Sequence, residues 1–273
     1  MSKVTNIQEL KNIAKEARKN VVEQVYGAGS GHPGGALSCI DILTVLYFNQ
    51  MNINPQEPKM EERDKLVLSK GHACAALYSI LAQRGFFPEE ELKSFRKFGS
   101  NLQGHPDMKK IHGIDMSTGS LGQGLSTACG MALASKIKKQ ENKVYCILGD
   151  GEIQEGQIWE AAMMASQYKL DNLCVIVDNN NLQIDGTVEK VMSPYPIDKK
   201  FESFGFAVYK VDGNSIEDLI EVFESAKLIK TQPVAIIANT IKGKGISFME
   251  NKAEWHGKAP NEEEFNKAIL ELN

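Results

Sequence analysis

The sequence lacks the features of a membrane, secreted or nucleic-acid-binding protein. No apolar run approaches the length of a membrane span, and the first nine residues carry no apolar segment of the kind found in signal peptides. The formal net charge is −4, which provides no field that attracts nucleic acid or an anionic membrane. Any anionic ligand must therefore be held by local groups, such as a metal ion, a helix N-terminus or backbone N–H groups.

Paired cysteines are also missing. The cysteines are odd in number and scattered, without a C-x-x-C pair: Cys39, Cys74, Cys129, Cys146 and Cys174. This pattern argues against a disulfide framework and against a structural zinc site. We expect buried, unpaired thiols in a protein of the reducing cytoplasm.

The sequence does contain a regular alternation of apolar strands and amphipathic helices. Short apolar runs predict strands at 65–68, 144–148, 173–177, 207–211 and 234–238. Helical spacing predicts helices at 7–26, 36–48, 73–84, 89–98, 123–139, 156–168, 197–204, 215–229 and 262–272. Strands that are apolar on both faces and separated by helices are typical of a covered parallel sheet. We predict one α/β domain over residues 1–273, with a doubly wound, mostly parallel sheet and helices on both faces.

Polar side chains follow two consecutive strands of this predicted sheet. Asp150 lies between two glycines directly after one strand, and Asn180 follows the next. A right-handed crossover of this length returns the chain to a neighbouring strand, so both side chains can reach one ion. A carboxylate, an amide oxygen and a backbone carbonyl suit Mg²⁺. The pattern predicts a Mg²⁺ ion that holds a diphosphate, and two ordinary strand-end turns are the alternative.

Several separate motifs contain glycine, histidine or both. They are Ser30-Gly31-His32-Pro33-Gly34, Ser69-Lys70-Gly71-His72, Gly104-His105-Pro106, the glycine-rich runs 118–124 and 149–156, and Trp255-His256-Gly257. In this order they resemble the motifs of transketolases. From about Ala14 to Pro260 the chain resembles the first domain of that family, a diphosphate-binding (PP-type) domain with the thiamine-diphosphate-binding fold. The resemblance implies thiamine diphosphate and Mg²⁺ as cofactors. It also implies a transferase of the pentose phosphate pathway, which moves a two-carbon ketol unit from a ketose phosphate to an aldose phosphate.

The resemblance also assigns site residues. Asp150, Asn180 and the carbonyl of Leu182 would hold Mg²⁺. The cofactor would be contacted by His72, Gly119, Ser120, Leu121, Gly151, Asn180 and His256. Ser120 stands where transketolases more often carry proline. Glu155 and Glu160 resemble the acidic residues that face the subunit interface.

All five histidines of the chain adjoin a glycine, which allows the backbone to turn an imidazole into a cavity. Cleavage of a ketose between C2 and C3 needs a base for the C3 hydroxyl and donors for the other oxygens, and neutral imidazole can do either. By resemblance, His32 and His256 contact hydroxyls of both sugars and shuttle protons, and His105 holds the C1 hydroxyl. His112 matches no motif and is interpreted as structural.

Three basic residues have two interpretations each. Arg96 is either the sugar-phosphate contact that the resemblance implies or a solvated helix arginine. Lys242 and Lys244, in Lys242-Gly243-Lys244-Gly245 after the last strand, belong either to a mobile loop that closes over an anion or to a solvated basic loop. Nothing in the sequence specifies the donor and acceptor sugars.

Transketolases are more than twice as long as these 273 residues. Their second domain binds the pyrimidine of the cofactor and supplies the glutamate that activates it, and a third domain follows. We therefore expect the N-terminal subunit of a split transketolase, which is active only with a C-terminal partner chain in a heterotetramer with two copies of each. The alternatives are a subunit of another thiamine-diphosphate ketolase or synthase, and a non-catalytic binding partner with this fold. A dinucleotide-binding dehydrogenase is not supported, because no strand leads into G-x-G-x-x-G.

Overall fold

Five strands form a parallel sheet in a computed structural model that describes residues 3–273. The sheet contains β1 (Lys65–Leu68), β2 (Val144–Gly149), β3 (Leu173–Asn179), β6 (Ala207–Asp212) and β7 (Val234–Asn239). Two further short strands, β4 (Leu182–Gln183) and β5 (Gly186–Thr187), lie outside it. The sheet has the order β1-β2-β3-β7-β6 and every neighbouring pair is parallel, whereas β4 and β5 form a separate antiparallel hairpin. All five predicted strands are confirmed.

Within the described residues, ten α-helices connect and cover these strands. They are α1 (Ile7–Ala28), α2 (Pro33–Ser38), α3 (Ile40–Val45), α4 (Cys74–Arg84), α5 (Gln123–Ile137), α6 (Gly156–Gln167), α7 (Val188–Met192), α8 (Ile197–Ser203), α9 (Ile216–Lys227) and α10 (Glu262–Glu271). Short 3₁₀ helices lie at Gly71–Ala73, Glu89–Ser94, Glu152–Gln154 and Ala253–His256, and a π-helical turn at Leu46–Gln50.

The sheet separates two apolar cores, one on each face. Successive side chains of a strand point to opposite faces. Ile147 of β2 therefore belongs to the core formed with α1, α3, α4 and α9. Its neighbours Cys146 and Leu148 belong to the core formed with α5, α6 and α8. Helices on both faces bury the apolar strands, which confirms the predicted doubly wound α/β fold.

Two predicted helices differ from the structure. The helix predicted at 36–48 is interrupted at Cys39, between α2 and α3. Ser38, the last residue of α2, is held by Asp178 of β3, to which its hydroxyl donates at 2.6 Å. The helix predicted at 89–98 is a 3₁₀ helix that ends at Ser94, since Arg96 adopts a left-handed φ of 57°. The hairpin and α7 are too short to produce a periodic pattern.

The prediction of buried, unpaired thiols is confirmed in the described part of the chain. All five cysteines are buried and unpaired. The C-terminal helix docks on the first helix, with the rings of Tyr26 and Phe265 stacked at 4.1 Å. No helix within residues 3–273 is both long and apolar enough to cross a membrane.

Two glycines of α5 provide a matched test of packing. A Cβ atom at Gly124 would lie 2.5 Å from Cβ of Ser69, whereas a Cβ at Gly130 would meet nothing within 4 Å. We expect Gly124→Ala to lower the free energy of unfolding by about 1–3 kcal/mol through overpacking. We expect Gly130→Ala to raise it by about 0.4–1 kcal/mol, because alanine favours the helix. Urea unfolding followed by circular dichroism measures both, and changes of the same sign would contradict the packing described here.

Candidate functional site

A cleft opens at the carboxyl edge of the sheet, where ligands bind in folds of this class. Its walls come from the segments that follow β1, β2, β3 and β7, together with the hairpin β4–β5. The open volume is about 220 Å³, below the ~300–1,000 Å³ of pockets that enclose most of a small ligand. The cleft therefore suits one part of a ligand better than a whole one.

Asp150 and Asn180 both line this cleft. The pairing of Gly149 with Asp178 in the sheet sets the two side chains at the ends of adjacent strands, as predicted. Asp150 is only 2% exposed, and its carboxylate accepts the backbone N–H of Gly151 at 2.8 Å and that of Asn181. Burial, and then the negative charge of Asp178, raise the pKa of Asp150 to about 6. A bound cation would offset both the burial of the negative charge of Asp150 and its repulsion by Asp178.

The donors around Asp150 suit a hard cation. No group of three His, Cys, Asp or Glu residues in the described chain could hold a metal ion, so an ion here needs amide or carbonyl oxygens as well. The side-chain oxygen of Asn180 accepts the N–H of Leu182 at 3.2 Å, and the carbonyl of Leu182 accepts the ammonium of Lys242 at 3.2 Å. Each of these oxygens keeps a second lone pair. The three oxygens therefore fit Mg²⁺.

A buried ion pair forms the floor of the cleft. Asp178 is 0% exposed and accepts hydrogen bonds from Lys70, from the hydroxyl of Ser38 at 2.6 Å and from that of Thr240. Burial by itself raises the pKa of Asp178, but the charge of Lys70 and these hydrogen bonds hold it below its ordinary value. Asp178 is therefore ionised, and its partners lie in segments far apart in the sequence.

A second buried carboxylate, Glu152, ties the glycine-rich loops together. It is 3% exposed, and its oxygens accept the N–H of Gly122 at 2.9 Å, the N–H of Gly149 at 3.0 Å and the hydroxyl of Ser69. The sequence motifs contain Glu152 but do not indicate this role. In the sequence, the only indication that Glu152 belongs to the site is its position directly after Gly149-Asp150-Gly151.

Three histidine rings converge beside the cleft. The ring centroids of His32, His72 and His256 lie 5.1–5.6 Å from one another. His105 lies against Gly119, where a Cβ would approach its ring to 3.0 Å, so the glycine permits close contact. His112 is exposed and apart from this group. The structure thus brings together three of the four histidines that the motifs contain, and it places the fourth, His105, against Gly119 of another motif.

These imidazoles are neutral at pH 7. Burial is the largest cause, and it lowers the pKa of His32 to about 4 and that of His256 to about 3. The next causes are the neighbouring cations, Arg96 for His32 and Lys242 for His256. Burial also lowers the pKa of His72 and of His105.

The basic residues are more ordered than a solvated loop or helix surface. Arg96 donates to the hydroxyl of Ser30 at 3.1 Å and contacts His32, so it is not a solvated helix arginine. Lys242 is 2% exposed and lies 3.2 Å from Nδ1 of His256. Burial, and then the charge of Lys70, lower the pKa of Lys242 to about 8. The burial of Lys242 differs from the exposed loop that the sequence predicts. Lys244 is partly exposed, and its ammonium lies 3.7 Å from the carboxylate of Glu250.

The remaining predicted contacts line the open side of the cleft. Leu121 lies at its edge and is 38% exposed, and Ser120 beside it is also exposed. A Cβ at Gly151 would come within 3.3 Å of the side chain of Gln183, so the backbone there can be approached closely only because glycine is present. Glu155 lines this side, and both Glu155 and Glu160 are exposed.

Comparisons with known proteins agree with this geometry. Residues 9–272 match the family described as transketolase, thiamine diphosphate binding domain. The chain is 44% identical to an apulose-4-phosphate transketolase subunit of Phocaeicola vulgatus over 98% of this chain and 95% of that protein. It is 45% identical to 6-deoxy-6-sulfo-D-fructose transketolase subunit SqwG of a Clostridium species, over 97% and 96%. The crystal structure of transketolase from Campylobacter jejuni matches with a TM-score of 0.93 and 38% identity, over 98% of this chain and 43% of that one.

The buried ion pair provides a prediction about stability. Lys70→Met should lower the free energy of unfolding by about 3–5 kcal/mol, because it leaves the carboxylate of Asp178 buried without a cation. Lys138→Met makes the same chemical change at an exposed lysine that lies 3.3 Å from Glu61, and we expect no measurable change there. Urea denaturation at pH 7 compares the two variants. Equal midpoints for Lys70→Met and the wild type would show that the pair does not hold the floor of the cleft.

Proposed function

This chain belongs to the transketolase family, as its thiamine-diphosphate-binding domain, and on that premise we propose that it is the N-terminal subunit of a two-chain transketolase. With a C-terminal partner it would transfer a two-carbon ketol unit from a ketose phosphate to an aldose phosphate. The two relatives described as subunits are matched over 95% and 96% of their length, which supports a separate partner chain. The same relatives are named for different sugars, so membership of the family leaves the sugar open.

One observation carries the proposal. The oxygen donors of Asp150 and Asn180 and the rings of His32, His72 and His256 lie around one edge of the sheet. An ion-binding corner beside neutral imidazoles suits a phosphorylated cofactor whose reacting end handles sugar hydroxyls.

We assign the cofactor contacts as follows. Asp150, Asn180 and the carbonyl of Leu182 would hold Mg²⁺, and this ion would hold the diphosphate. Bound thiamine diphosphate would supply the carbon nucleophile that takes up the two-carbon unit. Contacts to it would come from His72, Gly119, Ser120, Leu121, Gly151, Asn180 and His256. Lys242 joins this set, because its buried ammonium lies between Leu182 and His256.

The sugar contacts follow from the neutral imidazoles. His32, His105 and His256 would bind hydroxyls of the donor and acceptor sugars, and the ring facing the C3 hydroxyl would take its proton as the C2–C3 bond breaks. Neutral rings are suited to both tasks at pH 7, since they offer one donor and one acceptor.

The surface around the cleft supports a partner chain. Ile184 is 67% exposed and lines the cleft with Leu121. Met192 is 64% exposed. Its carbonyl accepts a hydrogen bond at 2.6 Å from the side chain of Gln154, which also lines the cleft. Exposed apolar side chains beside a cleft mark interaction sites. We propose that this face, with Glu155 and Glu160, meets the partner in an assembly with two copies of each chain. The buried, unpaired cysteines support a reducing, cytoplasmic setting.

The metal assignment has a direct test. Asp150→Ala should weaken Mg²⁺-dependent binding of thiamine diphosphate by about 100-fold or more, since even indirect metal contacts contribute roughly 10–100-fold. Isothermal titration with cofactor and Mg²⁺ in the presence of the partner chain measures this. Asp185→Ala is the matched control, because Asp185 is an exposed carboxylate on the same cleft and should bind normally. If Asp150→Ala also binds normally and remains folded, the metal assignment is wrong.

The need for a partner is tested by a ketol-transfer assay. The purified chain, given thiamine diphosphate, Mg²⁺, a ketose phosphate and an aldose phosphate, should produce no transfer. Co-expression with a chain that carries the pyrimidine-binding domain should restore it, because the glutamate that activates the cofactor comes from that domain. Clear transfer by this chain alone would contradict the two-chain proposal. A non-catalytic role would be favoured if the pair bound no cofactor.

A further inference from the structure

Arg96 and His32 make a contact that determines which nitrogen of the His32 ring carries the proton. Nη2 of Arg96 lies 3.3 Å from Nδ1 of His32, while Nη1 donates to the hydroxyl of Ser30 at 3.1 Å. A guanidinium has only donors and keeps its charge in proteins. Nδ1 of His32 must therefore accept this hydrogen bond, and it carries no proton.

The surroundings hold the guanidinium of Arg96 in place. The N–H of Arg96 donates to the carbonyl of Leu102 at 2.7 Å, and its left-handed φ of 57° is uncommon for a residue other than glycine. The guanidinium lies against Gly104, where a Cβ would come within 2.7 Å of Cζ. The contact with His32 thus belongs to an ordered turn, not to a free surface side chain.

The second ring nitrogen of His32 then carries the proton. Burial, and then the charges of Arg96, His105 and Lys242, lower the pKa of His32 to about 4, so the ring is neutral at pH 7 and must be protonated on Nε2. This nitrogen lies near Gly257, where a Cβ would be 3.9 Å away. No group within residues 3–273 forms a hydrogen bond with Nε2. The Nε2–H is therefore available to a ligand.

We propose that Arg96 is a positioning residue that holds His32 in the Nε2–H tautomer, so that His32 acts as a hydrogen-bond donor to a ligand oxygen and not as a base. The identity of that ligand, a sugar hydroxyl or the oxygen that gains charge as the C2–C3 bond breaks, rests on the proposed function. The tautomer itself does not.

The tautomer limits the chemistry of His32. To accept a proton at Nε2 the ring would first have to move its proton to Nδ1, where it would face the N–H of Arg96. Release of the Nε2 proton would leave an imidazolate anion. Both states are unfavourable near pH 7, so the ring binds and polarises an oxygen, as neutral histidines can. Proton transfer from the C3 hydroxyl must fall to another group.

Nitrogen NMR tests the tautomer in the full chain, without cofactor, sugar or partner. Long-range ¹H–¹⁵N spectra of histidine-labelled protein at pH 7 distinguish protonated from unprotonated ring nitrogens, and His32→Gln identifies the His32 signals among the five histidines. We expect an unprotonated Nδ1 and a protonated Nε2. A proton on Nδ1, or on both nitrogens, would overturn the proposal, whether or not the chain proves to be a transketolase subunit.

A pair of variants tests the role of Arg96. Arg96→Met removes the donor, and the single tautomer of His32 should give way to a mixture of both. Lys97→Met removes the charge of the next residue, which is exposed, and should leave the His32 signals unchanged. An unchanged tautomer in folded Arg96→Met would show that another group sets it. Should that variant not fold, the wild-type spectrum still decides the tautomer.

Discussion

The carboxyl edge of the sheet depends on one buried charge, the carboxylate of Asp178. It is the last but one residue of the central strand β3 and is bound by Lys70, Ser38 and Thr240, which come from three other segments. A carboxylate that is 0% exposed cannot remain ionised without such partners. Each partner is therefore constrained to a narrow range of positions, and so are the segments that carry them. The floor of the cleft is set by the fold itself, before any ligand binds.

The three buried carboxylates of the site have different hydrogen-bond partners and therefore different roles. Asp178 binds side chains of distant segments, and Glu152 binds backbone N–H groups of Gly122 and Gly149. Asp150 differs, because it accepts the backbone N–H groups of Gly151 and Asn181 and, unlike Asp178 and Glu152, no side-chain hydrogen bond within residues 3–273. Its pKa is raised by burial and by Asp178. Of the three, it is the carboxylate whose surroundings favour the arrival of a cation, which is why we place the metal there.

Sequence reasoning reached the parts of the site that depend on local pattern and chain topology. Asp150 and Asn180 could be placed side by side because a right-handed crossover of fixed length makes their strands neighbours. The convergence of His32 and His256 came only from resemblance, since spacing says nothing about residues so far apart. The burial of Lys242 was not predictable from its sequence neighbours, which suggest an exposed loop. It follows from packing between the hairpin and the C-terminal segment, and packing between distant segments leaves no local signal.

The site keeps its positive charge on lysine and arginine and its imidazoles neutral. Arg96 contacts His32 and Lys242 contacts His256, in both cases through Nδ1. Burial and these cations together lower the pKa of both rings far below 7. The cations can then attract the anionic parts of a ligand, while the rings form hydrogen bonds with hydroxyl oxygens and do not compete for phosphate. A chain with a net charge of −4 can bind a diphosphate for this reason, since the field that a ligand meets is set by the few charges inside one cleft.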